Sequence, residues 1–96
     1  MKRGEFIQKL LEQGFRYIED KDSAEVYYRE TYTDCHGLCG DWEEWYVYKD
    51  RAEHRYGTNR VVPGWEMCEY CGQWMREDEY EGHKEHCEPE VIYFRG

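Results

Sequence analysis

Cys68-Glu69-Tyr70-Cys71 is followed by eleven residues, then His83, three further residues and Cys87. No other feature of this chain restricts its folding as tightly. A tight C-x-x-C turn lets two thiols converge on one point, while side chains at i and i+4, such as His83 and Cys87, share one face of a helix. Three thiolates and an imidazole are the donors that Zn²⁺ takes in tetrahedral, all-protein sites. The spacing predicts one structural Zn²⁺ per chain, held by Cys68, Cys71, His83 and Cys87. The residues between Cys71 and His83 suffice for a short strand, a turn and the start of the helix. Met75 (or Trp74) and Tyr80 are expected to plug the module, and Asp78 or Glu77 to cap the helix and favour its positive end. His86 competes as fourth ligand, but Cys87 fits the i, i+4 geometry better. A redox role for Cys68 and Cys71 would call for a βαβ setting, which the surrounding sequence lacks.

Composition shows why such a staple is needed. Leu, Ile, Val and Phe number only 14 of 96 residues, beside a net charge of -9. That balance alone resembles a disordered chain. Tyr and Trp supply another 14 residues, however, so the capacity for burial lies in large amphipathic rings. A chain this short and aliphatic-poor usually needs disulfides, a metal or a partner. The odd cysteine count, five, and a start (Met1-Lys2-Arg3) that leads into an amphipathic segment speak against a secreted disulfide scaffold. A reducing, intracellular compartment is expected.

Along the chain the pattern predicts an α+β fold. Phe6, Ile7, Leu10 and Leu11 recur at helical spacing, and Gly14 marks a stop, giving a helix over about 4–13. Phe15 to Glu19 reads as a strand closed by Asp20-Lys21-Asp22-Ser23. Ala24 to Thr33 and Trp42 to Lys49 read as two more, with Trp45 and Val47 on one face and Tyr46 and Tyr48 on the other. The expected arrangement is a helix on a small antiparallel, aromatic-rich sheet (α-β-β-β). A ββα zinc finger and a short C-terminal strand from the tail Pro89–Phe94 then follow. Pro63-Gly64 is the clearest turn, dividing a subdomain over 1–62 from a finger module over 63–96, packed as one unit. The stretch through Lys49, Arg51, Arg55 and Arg60 reads as an ordinary solvated face, because Asp50 and Glu53 are interleaved.

Residues 66–88 resemble the Cys-Cys-His-Cys branch of the ββα zinc fingers, and their spacing is similar to that of ubiquitin-binding fingers of DNA-repair adaptors. The second resemblance implies ubiquitin binding. Those fingers usually carry an apolar residue and then Asp directly after the ligand His, where this chain has Lys84 and Glu85. The layout from Gly4-Glu5-Phe6 through Glu30 resembles small HicA-type toxin ribonucleases. The His of that family has no counterpart in Asp22-Ser23-Ala24-Glu25, so the likeness concerns layout and not nuclease chemistry.

Charge narrows the function. Residues 63–96 carry nine acidic and three basic side chains, so two thirds of the net charge falls in the last third of the chain. Around the expected helix start, the four acids Glu77, Asp78, Glu79 and Glu81 stand against the single base Arg76, an excess that phosphate would repel. The favoured reading is a small acidic protein-interaction or regulatory module for a basic partner, in a style suited to viral or phage products that imitate nucleic acid. Its candidate partner surface is Glu77, Asp78, Glu79 and Glu81 with Trp45, Tyr46 and Tyr48. The alternative is a nucleic-acid-binding regulator using Lys49, Arg51, Arg55 and Arg60 with aromatic stacking platforms. A candidate second metal site comprises Cys35, Cys39, His36 and His54, with Asp34 and Asp41 nearby; a free thiol pair in a hairpin loop is the plainer expectation. With one Ser, no nucleophile elbow, no phosphate-cradling loop and no open metal position, no enzyme is expected. Acidic pairs such as Glu43 and Glu44 are expected to be solvated.

Overall fold

The computed structural model describes residues 1–37 and 39–95; Leu38, in the loop expected between the second and third strands, and Gly96 lie outside the described residues. Two helices and mostly antiparallel sheet give an α+β architecture. Helix α1 (Arg3–Glu12) precedes strands β1 (Arg16–Lys21), β2 (Ala24–Thr33), β3 (Gly40–Val47) and β4 (Arg51–Thr58). Strands β5 (Trp65–Met67) and β6 (Trp74–Arg76), helix α2 (Glu77–Lys84) and strand β7 (Val91–Tyr93) complete the chain. The main sheet runs β1-β2-β3-β4-β7, while β5 and β6 pair separately.

Local chemistry explains the first elements. Helix α1 turns its Phe6 and Leu10 inward and leaves Leu11 exposed. It ends where Gly14 takes a positive φ of 94°. The Phe15 amide then donates to Leu10 O at 3.0 Å and the Gly14 amide to Leu11 O at 3.2 Å. This pair of bonds satisfies the last carbonyls and brings Phe15 and Leu10 into the core together. Strand β1 runs two residues further than the sequence suggests, because the turn is only Asp22-Ser23, both with positive φ (52° and 69°). That two-residue, left-handed turn matches the twist of a tight hairpin.

The stretch expected to be a solvated face is strand β4, which is a correction. Ala52, His54 and Tyr56 alternate with Arg51, Glu53 and Arg55. The first set points to the helix-covered face and the second to the open one. Pairing Trp45↔His54 and Val47↔Ala52 inserts β4 beside β3. Strand β7 then adds to β4 through Ala52↔Ile92 and its neighbours. The core is the helix-covered face: Phe6, Leu10, Phe15, Tyr27, Trp45, Val47 and Ala52, with Ile7, Ile92 and Phe94 packed around it. Phe6 meets Trp45 edge-on at 5.0 Å and lies tilted against Phe94 at 5.6 Å. Such edge-to-face pairs add to simple area burial. Trp45 therefore belongs to the core, which removes it from the candidate partner surface. Tyr46 and Tyr48 stay half-buried on the open face.

Because Phe6 joins the helix, the sheet and the C-terminal segment, Phe6→Ala is expected to cost ~3 kcal/mol or more. Leu11→Ala, at an exposed position, should change stability by less than about 0.5 kcal/mol. Urea unfolding of the two variants checks the contrast.

Candidate metal centre

The C-terminal third gathers four potential metal ligands. The β5–β6 hairpin is folded by Cys68 N donating to Gln73 O at 2.9 Å and Gly72 N to Cys68 O at 2.8 Å. Tyr70 N donates to Cys68 Sγ at 3.4 Å, so backbone amides surround that sulfur. Gly72 takes a positive φ of 75°, which closes the turn after Cys71. Met75 is buried while Tyr80 is half-buried, leaving Trp74 free to point elsewhere. Helix α2 then presents His83.

The helix differs from expectation at both ends. Its N-cap is Arg76, without a side-chain cap, and Glu77 and Asp78 lie inside the first turn with Glu79. They favour the helix dipole rather than cap it. The helix also stops at Lys84, so Cys87 does not follow His83 on one helical face. His86 N bonds to His83 O at 3.0 Å, a tightened i→i+3 turn that swings Cys87 back by another route.

The result is a cluster in which one donor atom from each of Cys68, Cys71, His83 and Cys87 lies within 4.8 Å of the others. Cys68 Sγ lies 3.7 Å from Cys87 Sγ, and Cys71 Sγ lies 3.4 Å from His83 Nε2. These four side chains could hold one metal ion. Burial pushes the Cys68 thiol up, but the amides of Cys71 and Tyr70 and the neighbouring thiols outweigh it and hold it below its usual value. Cys87 is driven the other way, to about 11, by desolvation and by the Cys68 sulfur. Proximity therefore resists a second thiolate, and a cation between the sulfurs would relieve it.

Cys35, Cys39, His36 and His54 are not gathered in this way: among the described residues, the only metal-competent group of three or more is the Cys68 cluster. Cys35 and His36 are exposed between β2 and β3, whereas His54 is buried in the sheet. His54 Nε2 lies 2.9 Å from Glu43 Oε2, and its ring stacks on Trp45 at 4.5 Å. Glu43 also accepts from Arg29 Nε at 2.8 Å. The expectation of a solvated Glu43 is thus corrected. Glu43 lies two residues from Trp45 and shares its inward face, so strand alternation could have revealed it. Of the other nearby groups, Asp34 Oδ1 accepts from the His36 amide.

A second polar assembly joins the sheet to the β5–β6 hairpin. Arg60 Nε donates to Asp41 Oδ1 at 3.0 Å, while its guanidinium lies 4.5 Å from the Tyr32 ring and 4.9 Å from that of Trp74. Trp74 Nε1 reaches Asp41 Oδ2 at 3.5 Å. Burial raises the Asp41 pKa, but bonds from Arg60, Thr58 and Trp74 together bring it below its usual value. Nearby, Tyr56 N donates to Glu69 O at 2.7 Å, and Arg55 lies over Tyr70 at 5.1 Å. Gly72 rests against the Tyr56 ring; a Cβ there would come within 2.8 Å of Tyr56 Cδ1. His54 and Tyr56 meet edge-on at 4.6 Å, so a run of rings leads from Phe6 and Trp45 to this turn.

No family model, characterised protein or solved structure matches the chain.

Gly72→Ala is expected to lower stability by ~1–2 kcal/mol through its left-handed backbone and the ring contact. In a Tyr56→Leu background the loss should shrink, as a double-mutant cycle by urea unfolding would show. Asp41→Asn should cost about 1.5–3 kcal/mol at neutral pH, by loss of charge-assisted bonds. Because the folded pKa of Asp41 is depressed, its contribution is complete above the unfolded value and declines as pH falls through the folded one. The stability difference between native protein and Asp41→Asn should accordingly narrow below about pH 4.

Proposed function

We propose that the protein is a small, non-enzymatic protein-interaction module. In this reading residues 65–88 form a ββα zinc finger docked on the main sheet, to which the following tail adds strand β7. The observation that carries the zinc assignment is the donor geometry. Zn–S bonds of about 2.3 Å and Zn–N bonds of about 2.0–2.1 Å give tetrahedral S···S and S···N edges of roughly 3.8 and 3.6 Å. The separations of 3.7 and 3.4 Å lie close to both edges. With four protein donors, the ion would have no position for water or substrate, so its role is structural. Thiolate ligation suits a reducing, intracellular compartment.

The partner reading rests on what happens to the cations. Arg51 Nε donates to Glu53 at 2.9 Å, Arg55 Nη2 to Glu53 at 2.8 Å, and Arg60 is held by Asp41. Arg51 also pairs with Asp50 at 3.1 Å, so three of the four cations that would contact nucleic acid are paired with carboxylates within the fold. Glu77, Asp78, Glu79 and Glu81 are exposed on α2. This distribution supports a basic protein partner over a polyphosphate one.

Elemental analysis of purified protein should give one zinc per chain, unchanged by replacing Cys35 and Cys39 with Ser. Two zincs, or none, would overturn the assignment. Complete chelation should unfold residues 65–88, read as a change in the circular dichroism spectrum. In a salt titration, tight low-salt binding to DNA or RNA that weakens steeply with salt would instead support the nucleic-acid reading.

A further inference from the structure

The segment between β4 and β5 exposes apolar surface that the core does not use. Val61 is 91% exposed, Trp65 44% and Val62 39%, in a chain with few aliphatic residues. Together with Pro63 they line a shallow groove whose wall includes Glu66 and Glu77. Backbone bonds define its shape: Trp65 N donates to Val62 O at 3.0 Å, and Glu77 N to Gly64 O at 3.1 Å. Trp65 is further fixed opposite Arg76 in the β5–β6 pair, with that guanidinium 6.0 Å from its ring.

The charge along this groove is unbalanced. Among the described residues, Glu66 and Glu77 form no ion pair. Asp78 and Glu79 follow Glu77 in the first turn of α2 and add negative charge near the groove without lining it. Arg60, which also borders the groove, is neutralised by Asp41, and Arg76 against the Trp65 ring leaves the two lining carboxylates in excess by one charge. An apolar floor beside uncompensated carboxylates suits an apolar side chain flanked by Lys or Arg. A second copy would bring like-charged walls together at a net charge of -9 per chain. Nucleic acid would set phosphates against Glu66 and Glu77.

We propose that the groove formed by Val61, Val62, Pro63 and Trp65 docks a basic amphipathic segment of a partner protein, anchored by an apolar side chain and oriented by Glu66 and Glu77. The inference rests on the interaction-module reading and supplies its surface.

The test uses the zinc-loaded full chain, labelled with ¹⁵N and titrated with a synthetic amphipathic Lys/Leu peptide and its Glu/Leu counterpart. Chemical-shift changes are expected at Val61, Val62, Trp65 and Glu77 with the Lys/Leu peptide, and none with the Glu/Leu peptide. Val61→Ser, at a position too exposed to disturb folding, and Glu77→Gln should each weaken binding about five- to tenfold. Glu12→Gln, on the remote helix α1, should leave it unchanged. Shifts centred on Tyr46 and Tyr48, with Val61→Ser binding normally, would overturn the groove while leaving the interaction reading intact. Absence of Lys/Leu binding even at low salt would overturn both. A concentration-dependent dimer abolished by Val61→Ser would assign the groove to a second copy and likewise overturn the proposal.

Discussion

Two sulfurs 3.7 Å apart, as those of Cys68 and Cys87 are, resist carrying negative charge together without a cation between them. That constraint governs the last third of the molecule. The turn at Cys68–Gly72 surrounds one sulfur with amides and lowers its pKa, while the same crowding raises that of Cys87. Within the β5–β6–α2 unit, among the described residues, Cys68 and Met75 are the buried apolar residues, and α2 has no buried residue of its own. A helix this short has little stability in isolation. The β5–β6 hairpin fixes one end of it, and a metal ion held by the four gathered side chains would fix the other.

The larger sheet solves a different problem. With so few aliphatic residues, it builds its interior largely from rings in edge-to-face and stacked contact, and one of those rings is an imidazole held by Glu43. The Arg29–Glu43–His54 group brings polar chemistry into that interior, with Glu43 bonded on both sides. Breaking a buried network of this kind by removing one member leaves the others uncompensated. The arginines of β4 and the following loop serve similarly local ends. They hold carboxylates and cover aromatic faces, which joins the two parts of the chain and leaves the exposed surface predominantly acidic.

Much of this architecture was legible in residue order. Helix α1 could be read from Phe6, Ile7 and Leu10, and β2 from its density of β-formers. The four gathered donors were visible in their spacing alone. Strand β4 is masked in the sequence because charged residues occupy every other position, between Ala52, His54 and Tyr56, which carry the alternation. Glu43 was hidden for a related reason: charge suggested solvent, although its parity with Trp45 placed it inside. The end of α2 could not be read from spacing, since both a continued helix and a tightened turn can return a residue four positions later to the same centre. The Asp41–Arg60–Trp74 contact joins residues far apart in sequence, and only the folded chain brings them together.

The contact of Gly72 with Tyr56 has a consequence for how this sequence can change over time. A backbone turn adjoining two candidate ligands lies directly on a ring contributed by the sheet. Position 72 acquires a side chain only at a cost in stability while position 56 keeps its tyrosine, and its left-handed backbone is a further obstacle. The two sites are therefore inherited as one unit, although sixteen positions separate them in the chain. Descendants that exchange one part of the molecule for another would have to carry both halves of this contact.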